Sequence, residues 1–167
     1  VRIWQILPLN PVGYGNSPYQ PYSSCAGDDI YISLDTLAEE GMLKKSPMPF
    51  LEKCKKVDYE RVRQYREPYL RAAFMAFVEQ KGYEKQEYKE FAAQSWVYEY
   101  GVFRALKKAN NGACWNEWPE EDRTWPENRH VLDTEAEAEA RYQMFLQYIF
   151  YTQWMNVKKA ANEAGIE

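Results

Sequence analysis

Apolar residues recur at helical spacing through the middle of the chain. From Asp58 they mark one face of an amphipathic helix that runs to Gly82. A kink or break is predicted at Pro68, because proline lacks the N–H of an interior helical residue. A second helix is predicted from about residue 84 to 108, and a single helical turn near 119–122. The pattern therefore predicts a chain that is mainly helical.

The longest predicted helix runs from Thr134 to about Ala164. Thr134 and Glu137 have the spacing of a capping box at its start. In the middle of this helix, between residues 144 and 155, only three positions are polar: Gln147, Thr152 and Gln153. A helix that is apolar most of the way round is covered on more than one side. We therefore expect it to pack both on the preceding helices and on a sheet.

Two short runs rich in β-branched and aromatic residues, near 2–7 and 30–34, are predicted to be strands. The stretch of about 22 residues between them is too long for a tight hairpin loop, so we expect the strands to be parallel or unpaired. Two strands do not form a stable sheet alone. Gly165 ends the last helix and an apolar residue follows it, as happens before a next strand. The chain is therefore expected to be a piece of a larger α/β protein.

The loop between the two predicted strands is the most unusual segment. It reads PLNPVGYGNSPYQPYSSCAGDD over residues 8–29, with three glycines, four prolines and three tyrosines. One interpretation is a turn whose glycines supply positive φ and whose tyrosines pack on the protein. The other is a ligand loop, because α/β proteins bind ligands at the ends of their strands. These residues alone leave both interpretations open.

Composition narrows the possible classes. A length of 167 residues suits one domain, and a net charge of −4 argues against nucleic acid as the main partner. Three cysteines without a CxxC pattern, and one histidine, make a disulfide framework, a zinc site or a His-based triad improbable. No apolar run has the length of a membrane span, and no signal peptide is visible. We expect reduced cysteines, a cytoplasmic location, and neither metal nor cofactor.

Adjacent carboxylates occur at Asp28-Asp29, Glu39-Glu40 and 120–122. Glycoside chemistry needs two carboxyl groups that face one bond, and neighbours along a helix or strand do not face each other. The last two groups are interpreted as solvated surface. The sequence thus shows no complete catalytic constellation.

The segment WQILPLNPVGYGNSPYQPYSSCAGDD resembles the start of the barrel in amylomaltases, the 4-α-glucanotransferases or disproportionating enzymes of glycoside hydrolase family 77. Their motif reads approximately WQ-x-LPL-x-P-[TV]-GYG-[DN]-SPYQ, followed by AGNP. Three later segments are also similar to the family: EYGVF at 99–103, CWNEWP at 114–119 and FLQYIFYTQW at 145–154. The resemblance covers essentially the whole chain.

This resemblance implies a fragment of a (β/α)8 barrel, an α/β fold, with a helical insertion. Residues 1–45 would supply a barrel strand, the loop and the second short strand, 46–132 the insertion, and 133–167 the helix that returns to the barrel. The complete protein would transfer α-1,4-glucan segments between chains with retention. The three family carboxylates would lie outside these residues, so no catalytic residue is expected here.

The resemblance also implies that Tyr14, Ser17 and Tyr19 bind substrate, an α-1,4-glucan or maltooligosaccharide. Ser17 and Tyr19 would reach the glucan near the cleaved bond, and Tyr14 would lie farther along the groove. The other expected partner is the remainder of the barrel, with no cofactor, no nucleic acid and no membrane. Asp28-Asp29 departs from the family's Asn-Pro, which puts contacts of that asparagine in doubt. A non-catalytic glucan-binding module and a helical protein-interaction module are the alternatives.

Overall fold

The computed structural model describes residues 2–44 and 56–167. The α-helices in these residues are α1 (Leu34–Glu39), α2 (Tyr59–Glu79), α3 (Gln86–Ala92), α4 (Ser95–Ala109), α5 (Glu120–Arg123), α6 (Trp125–Asn128) and α7 (Thr134–Glu163). Short 3-10 turns occupy Tyr14–Asn16, Asp29–Tyr31, Gly82–Glu84 and Trp115–Glu117. The mainly helical prediction is confirmed for the described part of the chain.

Two helix predictions need correction. The helix α2 continues through Pro68, so the break predicted there is wrong. Pro68 is exposed, and water can bond the backbone carbonyl that the missing N–H leaves free. The stretch predicted as one helix from 84 to 108 is divided into α3 and α4. The division turns the chain so that Phe91, near the end of α3, meets Trp96 of α4 edge to face, with ring centroids 5.9 Å apart.

The long helix α7 lies against α4, α2 and α3, which confirms the prediction that it packs on the preceding helices. The predicted packing of α7 on a sheet stays a prediction. Its first turn is capped by Asp133, one residue before the predicted cap, since the Asp133 carboxylate accepts from Ala136 N at 2.8 Å. The helices α4 and α7 approach closely at Gly101, where a Cβ would lie 2.8 Å from the carbonyl oxygen of Ala140. Aromatic side chains fill the core between α2 and α7. Phe77 of α2 and Phe145 of α7 have ring centroids 5.0 Å apart.

The two predicted strands are not found within residues 2–44 and 56–167, where the β-pairing consists of one isolated bridge between Val12 and Pro21. The run near 2–7 has no assigned secondary structure and no neighbouring strand within the described residues. Its start does meet the last residue of the chain: Trp4 N donates to Glu167 O at 2.8 Å, and Glu167 N donates to Arg2 O at 2.8 Å. These two bonds have the pattern of one step of a parallel ladder.

The run near 30–34 is a turn and a helix start instead of a strand. Asp28 accepts from Ile30 N at 3.1 Å and caps the 3-10 turn Asp29–Tyr31, and Leu34 begins α1. Between them, Gln153 of α7 accepts from Ser33 N at 2.7 Å and donates to Ser33 O at 3.2 Å. A side-chain amide thus satisfies backbone groups that a neighbouring strand would otherwise bond.

Within the described residues, no helix has the length and apolar character required to cross a membrane.

Candidate functional site

The tyrosine loop is closed at its base by the bridge between Val12 and Pro21. Gly13 N donates to Gln20 O at 3.2 Å, and Tyr22 N donates to Pro11 O at 2.9 Å. A Cβ at Gly13 would lie only 3.0 Å from the carbonyl oxygen of Gln20 and 3.4 Å from the Tyr22 ring. Glycine is therefore the residue that lets the two sides of the loop approach this closely.

The tip of the loop holds the three residues predicted to bind substrate. Tyr14 begins the 3-10 turn Tyr14–Asn16, whose Gly15 and Asn16 have φ of +73° and +53°. Ser17 is half-buried, and its Oγ accepts from Tyr19 N at 3.3 Å, so the structure brings these two residues together. The Tyr19 side chain is 73% exposed. An exposed ring on a closed loop is available to a ligand instead of filling the core.

The loop is anchored from below by Asp28, which is 1% exposed. Its carboxylate accepts from Val12 N at 3.3 Å and binds the Arg63 guanidinium in a two-pronged contact, with oxygen–nitrogen distances of 2.7 and 2.8 Å. Burial by itself raises the pKa of Asp28, but the Arg63 contact and the backbone bonds outweigh it and hold the pKa below its usual value. An ionised carboxylate therefore connects the loop base to α2.

Asp29 shares the same arginine, since Arg63 Nη1 lies 2.9 Å from Asp29 Oδ1. Burial raises the pKa of Asp29, whereas the bond to Asp28 raises the pKa of Arg63. The two positions that depart from the family's Asn-Pro thus form an ion cluster with one arginine. Both carboxylates are engaged by this arginine, which makes the pair part of the support of the loop.

Beside the loop lies a cavity of about 510 Å³, which we call the cationic cavity. One wall is made of the loop residues Gly13, Asn16 and Tyr22. The lining also includes cationic side chains from α2 and α4: Arg63, Arg66, Arg104, Lys107 and Lys108. The carboxylates of the lining are Asp29, Glu60 and Glu67.

An aromatic contact joins the loop to α4. Lys107 Nζ lies 5.0 Å from the centroid of the Tyr22 ring, within the range of a cation–π contact. The Tyr22 and Phe103 rings are 6.4 Å apart, and Phe103 is 5.7 Å from Trp118 of the CWNEWP segment. The helix α4 and the CWNEWP segment therefore support the loop through rings, as α2 does through Arg63.

Sequence reasoning missed Arg63, Arg104 and Lys107, which line the cationic cavity. In the sequence, these residues have the spacing of the polar face of a helix. Nothing in their distance along the chain from the loop indicates that they lie beside it. Asp28-Asp29 was the available signal, because two adjacent carboxylates in a partly buried loop require cations nearby. Within the described residues, no group of three or more histidine, cysteine, aspartate or glutamate side chains is placed to hold a metal ion.

Comparison with known proteins gives consistent matches over the whole chain. A family model described as 4-alpha-glucanotransferase matches residues 1–167. The 4-alpha-glucanotransferases of Synechocystis sp. and Thermus thermophilus are 40% and 37% identical to it, over 98% and 99% of this chain and 34% and 33% of theirs. The solved structure of an amylomaltase from Streptococcus agalactiae in complex with acarbose superposes with a TM-score of 0.83 at 28% identity, covering 99% of this chain and 34% of that one. The chain spans about a third of the length of the curated relatives it matches.

Proposed function

The chain belongs to the 4-alpha-glucanotransferase family, and we propose that the complete protein transfers α-1,4-glucan segments between maltooligosaccharides, starch or glycogen chains. One α-1,4 bond of the donor breaks, and the released segment is joined to the 4-hydroxyl of an acceptor glucan with retention of configuration. The observation that carries this proposal is the match of the family model to residues 1–167 together with the exposed, closed loop. The relative solved with acarbose, an amylomaltase, supports a glucan as the ligand class.

We assign substrate binding to Tyr14, Ser17 and Tyr19. Aromatic rings stack on the apolar faces of sugar rings, and hydroxyl groups bond sugar hydroxyls. The Ser17–Tyr19 contact and the exposure of the Tyr19 ring support a place for these two beside the reacting sugar. Tyr14, at the start of the turn, is assigned to a more distant part of the groove.

The reacting carboxylates are assigned to residues outside this chain. Retaining transfer needs two carboxyl groups on opposite sides of one glycosidic bond, about 5–5.5 Å apart. Near the loop, Asp28 and Asp29 are bound to Arg63, and Asp28 is 1% exposed, so its carboxylate is out of reach of a glucan. This segment therefore supplies the substrate loop and its supports.

The remainder of a (β/α)8 barrel is proposed as the partner of the apolar surface at the two chain ends. Ile3, Trp4 and Leu7 are exposed, although such side chains are usually buried. The parallel-ladder bonds between Arg2–Trp4 and Glu167 support further strands on this side. In this architecture 1–45 and 133–167 belong to the barrel, and 46–132 is the helical insertion.

We also propose a reducing compartment, the cytoplasm. The two cysteines within the described residues, Cys25 and Cys114, are free and exposed thiols. Exposed thiols persist where disulfides are not formed. Cys54 lies outside the described residues.

The proposed function is tested with the complete protein and maltotriose as the only substrate. Transfer should yield glucose together with longer maltooligosaccharides, while the number of reducing ends stays constant because one bond forms for each bond broken. The anomeric configuration of the new bond should be α by proton NMR. A steady rise in reducing ends would show hydrolysis instead, and an unchanged substrate would reject the proposal.

A further inference from the structure

The cationic cavity carries more positive charge than its lining neutralises. Its five cationic side chains face three carboxylates, which leaves an excess of two positive charges. Outside the lining, Asp28 binds Arg63 and Glu139 binds Lys108, which adds two carboxylates. Arg71 binds both Glu67 and Glu139 and adds one cation, so an excess of one positive charge remains. The chain as a whole has a net charge of −4, so this excess is a local feature and not a property of the surface in general.

Three of the five cations lack a carboxylate partner within the described residues: Arg66, Arg104 and Lys107. Arg104 Nη1 donates to a neutral hydroxyl, that of Tyr100, at 3.0 Å. Lys107 Nζ donates to the Gly112 and Ala113 carbonyls at 2.9 and 3.2 Å. Neither charge is neutralised by a direct ion pair within the described residues, although Asp29 attracts Arg104 electrostatically.

Arg66 also forms no ion pair with a carboxylate within the described residues. Its Nη2 donates to the Asp29 and Ile32 carbonyls, and its Nε is buried with no hydrogen-bond partner within the described residues. Burial lowers the pKa of Arg66, since removing a guanidinium from water disfavours its charge. An acceptor beside this side chain would offset that cost.

The carboxylates of the lining are occupied elsewhere. Glu67 accepts from Arg71 at 2.8 Å, and Glu60 accepts from Gln64 at 2.9 Å. The third, Asp29, is bonded to Arg63. None of the three therefore forms an ion pair with Arg66, Arg104 or Lys107.

We propose that the cationic cavity binds the phosphomonoester group of a carbohydrate. Two guanidinium groups and one ammonium group match the charge and the several acceptor oxygens of a phosphomonoester. A volume of about 510 Å³ suits a ligand of sugar-phosphate size. Gly13, Asn16 and Tyr22 also line the cavity, so the bound sugar lies beside the loop. The carbohydrate part of this ligand rests on the proposed function, whereas the phosphate part rests on the cations alone.

The same group could come from two sources, a free hexose phosphate or a phosphate ester on a glucan chain. Calorimetric titration of the complete protein distinguishes them. One arm uses glucose 6-phosphate, and the other uses a maltooligosaccharide that carries a 6-phosphate on one glucosyl unit. Each is compared with its unphosphorylated counterpart. Binding of the first identifies the free sugar phosphate as ligand, and binding of the second alone identifies the phosphorylated glucan; both results support the proposal.

Variants assign the binding to the cavity. Lys107→Met keeps the length of the side chain and removes its charge, and it should weaken the phosphate-dependent binding by about tenfold, as should Arg104→Gln. Lys89→Met is the control, because Lys89 is exposed on α3 and does not line the cavity. If Arg104→Gln lowers the melting temperature, only the result for Lys107→Met is used to decide whether the phosphate-dependent binding takes place in the cavity.

Transfer on unphosphorylated maltotriose is measured with the same proteins. Its absence in the unmodified protein would reject the proposed function without affecting the phosphate result. The phosphate proposal is overturned by equal affinity for phosphorylated and unphosphorylated sugars. It is also overturned by phosphate-dependent binding that the folded Lys107→Met variant retains in full.

Discussion

The side-chain amide of Gln147 pairs with both backbone groups of Gly27. Its Oε1 accepts from Gly27 N at 2.8 Å, and its Nε2 donates to Gly27 O at 2.9 Å, with both residues buried. A Cβ at Gly27 would lie 2.1 Å from the Phe150 ring, so the backbone is pressed against α7 at this point. Because Asp28 is the next residue, this contact positions the carboxylate that anchors the tyrosine loop.

Gln147→Leu should destabilise the complete protein. The substitution keeps a side chain of similar size but leaves the Gly27 N–H and C=O buried without partners, at a cost of about 2–4 kcal/mol in the free energy of unfolding. Urea denaturation measures the change. Gln80→Leu is the control, because Gln80 is exposed and makes a single 3.4 Å bond, and it should change stability by less than about 0.5 kcal/mol. Equal effects of the two substitutions would show that the Gln147 pairing is unimportant.

Glu139 gives a prediction about pH. It is buried, and its carboxylate accepts from Arg71, Lys108 and Gln143. Burial alone raises the pKa of Glu139, but these bonds outweigh it and bring the pKa below the ordinary value of 4.5. A carboxylate with a depressed folded-state pKa stabilises the fold above the unfolded-state pKa, and this contribution is lost as pH falls through the folded-state value.

Glu139→Gln should therefore lower the free energy of unfolding by about 1–3 kcal/mol at neutral pH. The difference from the unmodified protein should shrink as pH falls below 4.5. Denaturation curves at a series of pH values measure it, with Glu90→Gln as a control at an exposed site on α3. A difference that stays constant down to the lowest pH at which the protein folds would contradict this explanation.

The isolated 167-residue chain should release no glucose from maltotriose. The reason is the assignment of the reacting carboxylates to residues outside the chain. Chromatography of the products after prolonged incubation measures this, with the complete protein as the positive control. Release of glucose by the purified chain would show that a catalytic pair lies within these residues.

Tyr14→Ala in the complete protein should act mainly on KM for long maltooligosaccharides or on the ratio of transfer to hydrolysis. A ring farther along the groove holds the glucan in the ground state and the transition state alike, and loss of such uniform binding changes KM more than kcat. Steady-state kinetics with substrates of increasing length measure this. A fall in kcat for maltotriose as large as that of Tyr19→Ala would place Tyr14 at the reacting sugar instead.

Much of the helical architecture could be predicted from the apolar pattern, because α7 and α2 each repeat that pattern over many turns. The same kind of pattern was misleading for the two predicted strands, which are not found within the described residues. The run 30–34 has strand-forming residues, but the Asp28 cap and the Gln153 amide satisfy its backbone in another conformation. Tertiary contacts of this kind override local propensity.

The candidate site was predictable only in part. The motif gave the prediction that Tyr14, Ser17 and Tyr19 bind substrate, since glycine, proline and tyrosine in fixed order are a local signal, and this stays a prediction. The contact between Asp28 and Arg63 joins residues 35 positions apart on a loop and a helix. Charge alone does not say which of 21 lysines and arginines faces a given carboxylate. The cationic cavity therefore emerged only from the packing of α2 and α4 around the loop.

The central claim is that the tyrosine loop binds the reacting glucan, and Tyr19→Ala in the complete protein tests it most directly. Loss of the ring should lower kcat/KM for maltotriose by roughly 10- to 1000-fold, about 1.4–4 kcal/mol of transition-state stabilisation. The melting temperature should hardly change, because the side chain is 73% exposed. Tyr83→Ala, at an exposed tyrosine outside the loop, should leave both quantities unchanged. If Tyr19→Ala instead melts far earlier and retains the unmodified kcat/KM per folded molecule, Tyr19 is a packing residue and the substrate-loop assignment is wrong.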